Sequence, residues 1–202
     1  MTNKIIFLTG LLGVILFVGT TVVGGVQLNG YSHINQYISE SYASGTEHAS
    51  ALRMYGFIPS GILLMIFSFL YPRIVAKSKA VRLAFLGIGV FYGLGTVVTS
   101  IFPCDFGCDM SKPSISQIVH NMMGFLTYVI VPICVIGIGV KTRKWEGYSR
   151  LSIISLGIGF LSLLFVAILF MNPEGDFKGL FQRVIEGSIL LWILYASFRA
   201  LK

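Results

Sequence analysis

Charged residues are scarce in this sequence of 202 residues: Asp, Glu, Lys and Arg together form 11% of it, against roughly 25% in a soluble domain. Apolar residues form 55%, and the mean hydropathy is +0.83. So little charge excludes a soluble enzyme, a disordered tail and a nucleic-acid-binding domain. We therefore expect an integral membrane protein whose first partner is the lipid bilayer and which has no nucleic-acid partner.

Common catalytic signatures are also absent. The sequence contains neither a Gly-x-Ser-x-Gly nucleophile elbow nor a His-Glu-x-x-His zinc motif. Cysteine and histidine are rare, with three of each. Any chemistry must therefore come from scattered polar residues that the fold brings together.

Six apolar runs are long enough to cross about 30 Å of hydrocarbon as helices. They run approximately from Ile5 to Val26, Arg53 to Tyr71, Leu83 to Pro103, Ile118 to Val140, Leu151 to Met171 and Leu180 to Leu201. The first run is too long for the apolar part of a cleaved signal peptide, so we expect it to be retained. The sequence predicts an all-α fold: a six-helix membrane bundle in a single domain, residues 1–202.

Basic residues segregate to alternate connections. Eleven of the fifteen lie on one predicted side, together with one acidic residue, Glu146: Lys4, Arg73, Lys77, Lys79, Arg82, Lys141, Arg143, Lys144, Arg150, Arg199 and Lys202. Because short loops rich in Lys and Arg stay in the cytoplasm, we expect both termini inside and a multi-pass protein of the cell membrane. This asymmetry accounts for the net charge of +7. Gly89 and Gly93 form a GxxxG step, which in a six-span chain favours packing within the chain, so no oligomer is predicted.

Polar residues gather at the predicted outer face, where seven of the eight acids and all three histidines lie. We expect His120 to act as a general base or metal ligand, with Asp105 and Glu186 as acid, base or orienting groups. Arg53 and Arg183 would clamp an anionic group. The further ligand-binding candidates are His33, Glu40 and Asn121. Arg183 and Glu186 also share a helix face at i, i+3, so an ion pair between them is the alternative interpretation.

Cys104 and Cys108 face an oxidising compartment in this topology, so we expect a disulfide that closes a tight loop. The alternative is a metal site, with zinc as the candidate ion, because thiolates could be joined by His33, His48, Asp105 and His120. However, a Cys-x-x-x-Cys spacing is not that of a zinc knuckle. Cys134 lies within a span and is most simply a small buried residue.

A family resemblance runs through these motifs. It rests on the run Tyr31-Ser-His-Ile-Asn-Gln-Tyr-Ile-Ser-Glu40, the run Phe102-Pro-Cys-Asp-Phe-Gly-Cys108, His120 at the start of a span, and Leu180-Phe-Gln-Arg183 before a Trp-containing last helix. In their order and span positions these resemble the bacterial and archaeal membrane family catalogued as domain of unknown function 998. The resemblance implies a six-helix membrane protein with these outer-face residues as its hallmark, and it implies no activity.

Two functional hypotheses follow. In the first, the outer polar cluster binds a lipid headgroup or another small amphiphile and hydrolyses or transfers it. In the second, the bundle is a non-catalytic transporter, sensor or membrane assembly factor that uses the same cluster as a gate or lid anchor. None of the six predicted spans carries a charge in its central third, which argues against a transporter coupled to protons or ions.

Overall fold

The structure, a computed structural model, describes residues 2–75 and 78–201, and the described residues form helices and no strands. Six helices are long and apolar enough to span a membrane: α1 (Thr2–Gln27), α2 (Ala49–Val75), α3 (Lys79–Ile101), α4 (Ile115–Thr142), α5 (Ser149–Met171) and α6 (Lys178–Arg199). The prediction of an all-α, multi-pass membrane bundle is therefore confirmed. Lys77 and Lys202, two of the basic residues used to predict the topology, lie outside the described residues.

The predicted helix ends were less accurate than the number of helices. Helix α2 begins at Ala49 rather than Arg53, and α6 runs from Lys178 to Arg199 rather than from Leu180 to Leu201. With these bounds Glu186 is the ninth of the 22 residues of α6, which places it in the central third of the helix. The expectation that no span carries a charge in its central third is wrong for this helix.

Apolar side chains cover the outside of the bundle as well as its interior. Ile15, Phe160 and Leu164 are more than half exposed, whereas Phe85 and Trp192 are completely buried. The Trp192 indole donates a hydrogen bond to Ser155 Oγ at 2.8 Å, so its one polar atom is satisfied inside the core. An apolar outer surface of this kind suits the hydrocarbon of a bilayer. Within each helix the backbone N–H and C=O groups bond to one another, so they need no water there.

Helices α2 and α3 each contain a π-helical turn, Arg53–Phe57 in α2 and Gly89–Leu94 in α3. A π turn inserts one extra residue, which changes the direction of the side chains around it. At Gly93 a Cβ atom would lie 2.6 Å from the Met65 Cα, and at Gly89 it would overlap the Phe69 ring. The GxxxG step of α3 therefore packs against α2 of the same chain.

Three connections meet at one end of the bundle: residues 28–48, residues 102–114 and residues 172–177. Within them the Ser44 amide donates to the Cys104 carbonyl at 2.8 Å, and the Tyr37 hydroxyl donates to the Pro173 carbonyl at 2.5 Å. We call this end the acidic end and residues 28–48 the cover loop. The cover loop contains a short 3-10 helix, Ile38–Tyr42, in which every residue is buried.

The close approach of α2 and α3 predicts the effect of a larger side chain at Gly93. We expect Gly93→Leu to destabilise the bundle by about 1–3 kcal/mol, because the new atoms would overlap the Met65 backbone. Gly137→Leu is the matched control, since a Cβ at Gly137 meets nothing within 4 Å. The measurement is the thermal unfolding midpoint of both variants in detergent. Equal midpoints would contradict this account of the α2–α3 contact.

Candidate functional site

A cavity of about 300 Å³ lies beneath the cover loop, and all six helices contribute to its wall. This volume lies at the lower end of the range for small-molecule sites. Of the predicted catalytic residues, His120 and Glu186 line the cavity and Asp105 does not. Of the predicted ligand-binding residues, Asn121 lines it.

Aromatic rings form two walls of the cavity. On one side the Phe57 ring packs against Phe17 with a centroid distance of 5.3 Å and against Tyr42 at 4.6 Å, and Phe17 lies over Tyr92 at 6.2 Å. On the other side Phe125 stacks on Phe170 at 5.4 Å. The π-helical turns of α2 and α3 supply Phe57 and Tyr92 to this wall, so the irregular turns of these helices coincide with the cavity.

The Glu186 carboxylate is buried in the cavity wall and accepts two hydrogen bonds from tyrosines. Tyr92 Oη donates to Oε2 at 2.7 Å, and Tyr128 Oη donates to Oε1 at 2.9 Å. At 1.5 Å per residue, Glu186 lies about 12 Å along α6 from the start of the helix. A carboxylate at this depth is a functional candidate by default, because an ionisable group is costly inside a membrane bundle.

The hydrogen bonds around Glu186 have a fixed direction. The Ile38 amide of the cover loop donates to Gln182 Oε1 at 2.6 Å, so the Gln182 side-chain nitrogen is the donor to Tyr128 Oη at 2.9 Å. Tyr128 Oη accepts this bond and therefore directs its own proton towards Glu186. A continuous chain of donors thus links the backbone of the cover loop to the buried carboxylate.

His120 is held by the end of the preceding span. Its Nδ1 lies 3.0 Å from the carbonyl oxygens of both Thr99 and Phe102, at the C-terminal end of α3. Because carbonyls only accept, Nδ1 carries the proton, and it caps carbonyls that the helix leaves without a partner. In the neutral ring Nε2 is then an acceptor, and it has no hydrogen-bond partner among the described residues.

Arg183 holds the cover loop in place. Its guanidinium donates to the carbonyls of His33, Gln36 and Gly179 at 2.7–3.0 Å and to the Tyr31 hydroxyl at 2.6 Å. It makes no ion pair with Glu186 within the described chain. The i, i+3 spacing places the two residues on nearby helix positions, but the structure gives Arg183 three partners in the cover loop and one, the Gly179 carbonyl, in its own helix.

Glu40 is a second anchor of the cover loop. Its carboxylate accepts from the Tyr37 amide at 2.9 Å and from the Gln36 side chain at 3.0 Å, and it lies 3.9 Å from Lys178 Nζ. Burial, followed by the nearby Glu174 and Glu40, raises the pKa of Tyr37. This loop therefore presents tyrosine as a neutral hydroxyl at physiological pH.

Asp105 and the cysteines build the rim of the acidic end. The Asp105 carboxylate accepts two hydrogen bonds of 2.8 Å from Ser114, the residue that caps α4. The structure places Cys104 and Cys108 in a disulfide, and Cys108 lines the cavity. Gly107 between them has φ +70°, a conformation that glycine adopts without steric cost.

The remaining predicted residues lie apart from one another. His33 packs against Gly25 of α1, His48 lies beside Glu47, and Arg53 donates to Ser50 on the outside of α2. In the part of the chain that the structure describes, no three His, Cys, Asp or Glu side chains are close enough to share a metal ion. The alternative ligand set of His33, His48, Asp105 and His120 is thus not gathered at one point.

Several polar residues of the cavity are not among the predicted site residues, and three of them contact Glu186 or its partners: Tyr92, Tyr128 and Gln182. A signal was present, because Tyr92 and Tyr128 lie well inside apolar spans, where a hydroxyl needs a partner. The spacing of Gln182 and Glu186, one helical turn apart, was a second signal.

The chain matches the family model described as "Protein of unknown function (DUF998)" over residues 11–199. It belongs to the DUF998 family. No curated protein and no solved structure matches it significantly. The family description names no activity, and the six long apolar helices of this DUF998 protein make it a multi-pass membrane bundle.

The two ring nitrogens of His120 predict a separable effect of two substitutions. His120→Ala removes the donor to both α3 carbonyls and should cost about 1–3 kcal/mol of stability. His120→Asn places an amide nitrogen near the position of Nδ1, so it should keep most of that stability while it removes Nε2. Unfolding of both variants in detergent is the measurement. If His120→Asn is as unstable as His120→Ala, the capping role is wrong.

The Arg183 contacts predict that the cover loop opens when the guanidinium is lost. Lysine cannot reproduce the planar fork, so Arg183→Lys should increase amide hydrogen exchange in residues 31–40 by about tenfold. Arg53→Lys is the control, because Arg53 donates only to exposed Ser50. Hydrogen–deuterium exchange with mass spectrometry measures both. Unchanged exchange in Arg183→Lys would show that the loop is held by other contacts.

Proposed function

We propose that this DUF998 protein binds a small amphiphilic ligand in the cavity beneath the cover loop. The observation that supports this most directly is the cavity itself, whose lining combines aromatic rings with polar side chains that include His120 and Glu186. Ligand sites are typically apolar pockets with a few placed polar groups of this kind. The ligand's apolar part would contact the rings, and its polar part would reach these two side chains.

We further propose that the cavity opens to the outside of the cell membrane, with both termini in the cytoplasm. The distribution of Lys and Arg along the sequence supports this orientation, since the connections of the acidic end carry few basic residues. The disulfide at the rim is consistent with an oxidising compartment. The ligand would then come from the outer leaflet or from the solution outside.

The same groups can supply chemistry to a bound ligand. Neutral His120 has Nε2 as an acceptor, so it can take a proton from a hydroxyl or a water as a general base. Glu186, with two tyrosine hydroxyls on its oxygens, can hold or orient a polar group. Hydrolysis or transfer of a lipid-like ligand would use this pair, whereas a sensor or transporter would use it for binding alone. Binding is the step that both proposals share.

Photolabelling tests the binding proposal. The probe is 3-azioctanol, an octanol with a photoreactive diazirine, which is added to the purified protein in detergent and illuminated. Mass spectrometry then locates the covalent adducts. We expect adducts on cavity residues such as Tyr128 and Glu186, and we expect Gly124→Phe to reduce them at least several-fold. Gly124 lines the cavity and a Cβ there meets nothing within 4 Å, so the new side chain can begin without a clash and its ring would occupy cavity space.

Gly137→Phe is the matched control on the same helix. Its Cβ also meets nothing within 4 Å, and Gly137 does not line the cavity. Labelling of the cavity should therefore be unchanged in this variant. Adducts confined to lipid-facing residues, or equal labelling in both phenylalanine variants, would overturn the proposal.

A further inference from the structure

We propose that the cavity selects an organic cation, an amine or quaternary ammonium group that carries a short apolar part. This inference rests on the proposed function and names the ligand class of the same cavity. It rests on a buried carboxylate that has no cationic partner among the described residues and that lies in a cavity lined with aromatic rings. The three following observations support it, and each concerns a different property of the cavity.

The first observation is the charge balance of the wall. Two carboxylates, Glu174 and Glu186, line the cavity, and none of the described lining residues is a lysine or arginine. Glu174 lies at the rim, where Lys178 Nζ pairs with it at 3.0 Å. Glu186 has no Lys, Arg or His nitrogen within 4 Å in the described chain. A buried carboxylate of this kind is stabilised when a ligand brings the missing positive charge.

The second observation is the direction of the hydrogen bonds. Both tyrosine hydroxyls donate to Glu186, and the bond from Gln182 determines that direction for Tyr128. The Glu186 oxygens therefore act as acceptors, which suits a bound N–H or a methylated ammonium and disfavours an anionic group. His120 Nε2, the other acceptor in the cavity, has the same preference.

The third observation is the nature of the walls. Phe17, Tyr42, Phe57 and Tyr92 form a continuous aromatic cluster with centroid distances of 4.6–6.2 Å. Ring faces attract organic cations, and desolvated ammonium groups gain most from them. A metal ion would instead need several oxygen, nitrogen or sulfur ligands, and no group of three such side chains occurs in the described residues. The rings thus favour an organic cation over a metal.

Competition against 3-azioctanol tests the selectivity. The competitors are hexyltrimethylammonium and hexyl sulfate, which share one alkyl chain and carry opposite charges. In the wild-type protein the cation should suppress the cavity adducts at a concentration about tenfold lower than the anion. In Glu186→Gln the two concentrations should become similar, while 3-azioctanol labelling itself persists and shows that the cavity is intact. Equal potency in the wild type would overturn the inference.

Glu174→Gln is the matched control for charge. Glu174 also lines the cavity but is paired with Lys178, so this variant should keep the preference for the cation. A preference lost equally in both glutamine variants would overturn the assignment to Glu186. If 3-azioctanol does not label the cavity at all, the proposed function fails together with this inference. Labelling without a preference for the cation removes the inference alone.

Two further competitors distinguish a free cation in solution from a cationic lipid headgroup. Tetramethylammonium lacks an apolar chain, and dihexanoylphosphatidylcholine carries the same group as a lipid headgroup. Suppression by tetramethylammonium at a concentration similar to that of hexyltrimethylammonium would indicate a free cation from solution. Suppression by the phospholipid at a much lower concentration than tetramethylammonium would indicate a headgroup. If neither suppresses the adducts while hexyl sulfate does, the ligand class is wrong.

Discussion

The structure depends most on the burial of one carboxylate. Glu186 lies inside a membrane bundle, where an ionisable group is costly unless it is well hydrogen-bonded, and Tyr92 and Tyr128 each donate a hydrogen bond to one of its oxygens. These tyrosines come from α3 and α4, so the carboxylate on α6 joins three helices. The aromatic walls, the cavity and the position of the cover loop are all arranged around this group.

The cover loop and the cavity are parts of one hydrogen-bonded network. Gln182 connects the Ile38 amide of the loop to Tyr128, and through it to Glu186. The next residue of α6, Arg183, donates to two carbonyls and a hydroxyl of the same loop. A change in the loop would therefore alter the donors around the carboxylate.

The polar residues of the acidic end divide into two groups with different physical roles. Arg183, Glu40 and Asp105 are paired with backbone groups and with the side chains of Tyr31, Gln36, Ser114 and Lys178, so they maintain the shape of the loops. The oxygens of Glu186 and the Nε2 atom of His120 can each still accept a hydrogen bond. The chain belongs to the DUF998 family, and its six long apolar helices place the whole arrangement in a multi-pass membrane bundle.

The sequence by itself determined the all-α fold, the number of spans and most of their extent, because twenty consecutive apolar residues have few alternatives to a membrane helix. It also indicated His120, Asn121 and Glu186, since polar groups near span ends are rare. Only the tertiary structure separated Arg183 from Glu186 and brought Tyr92, Tyr128 and Gln182 together. The hydrogen bond from Tyr92 to Glu186, for example, joins residues 94 positions apart. Such contacts depend on π-helical turns and on close glycine contacts between helices, which local sequence patterns do not encode.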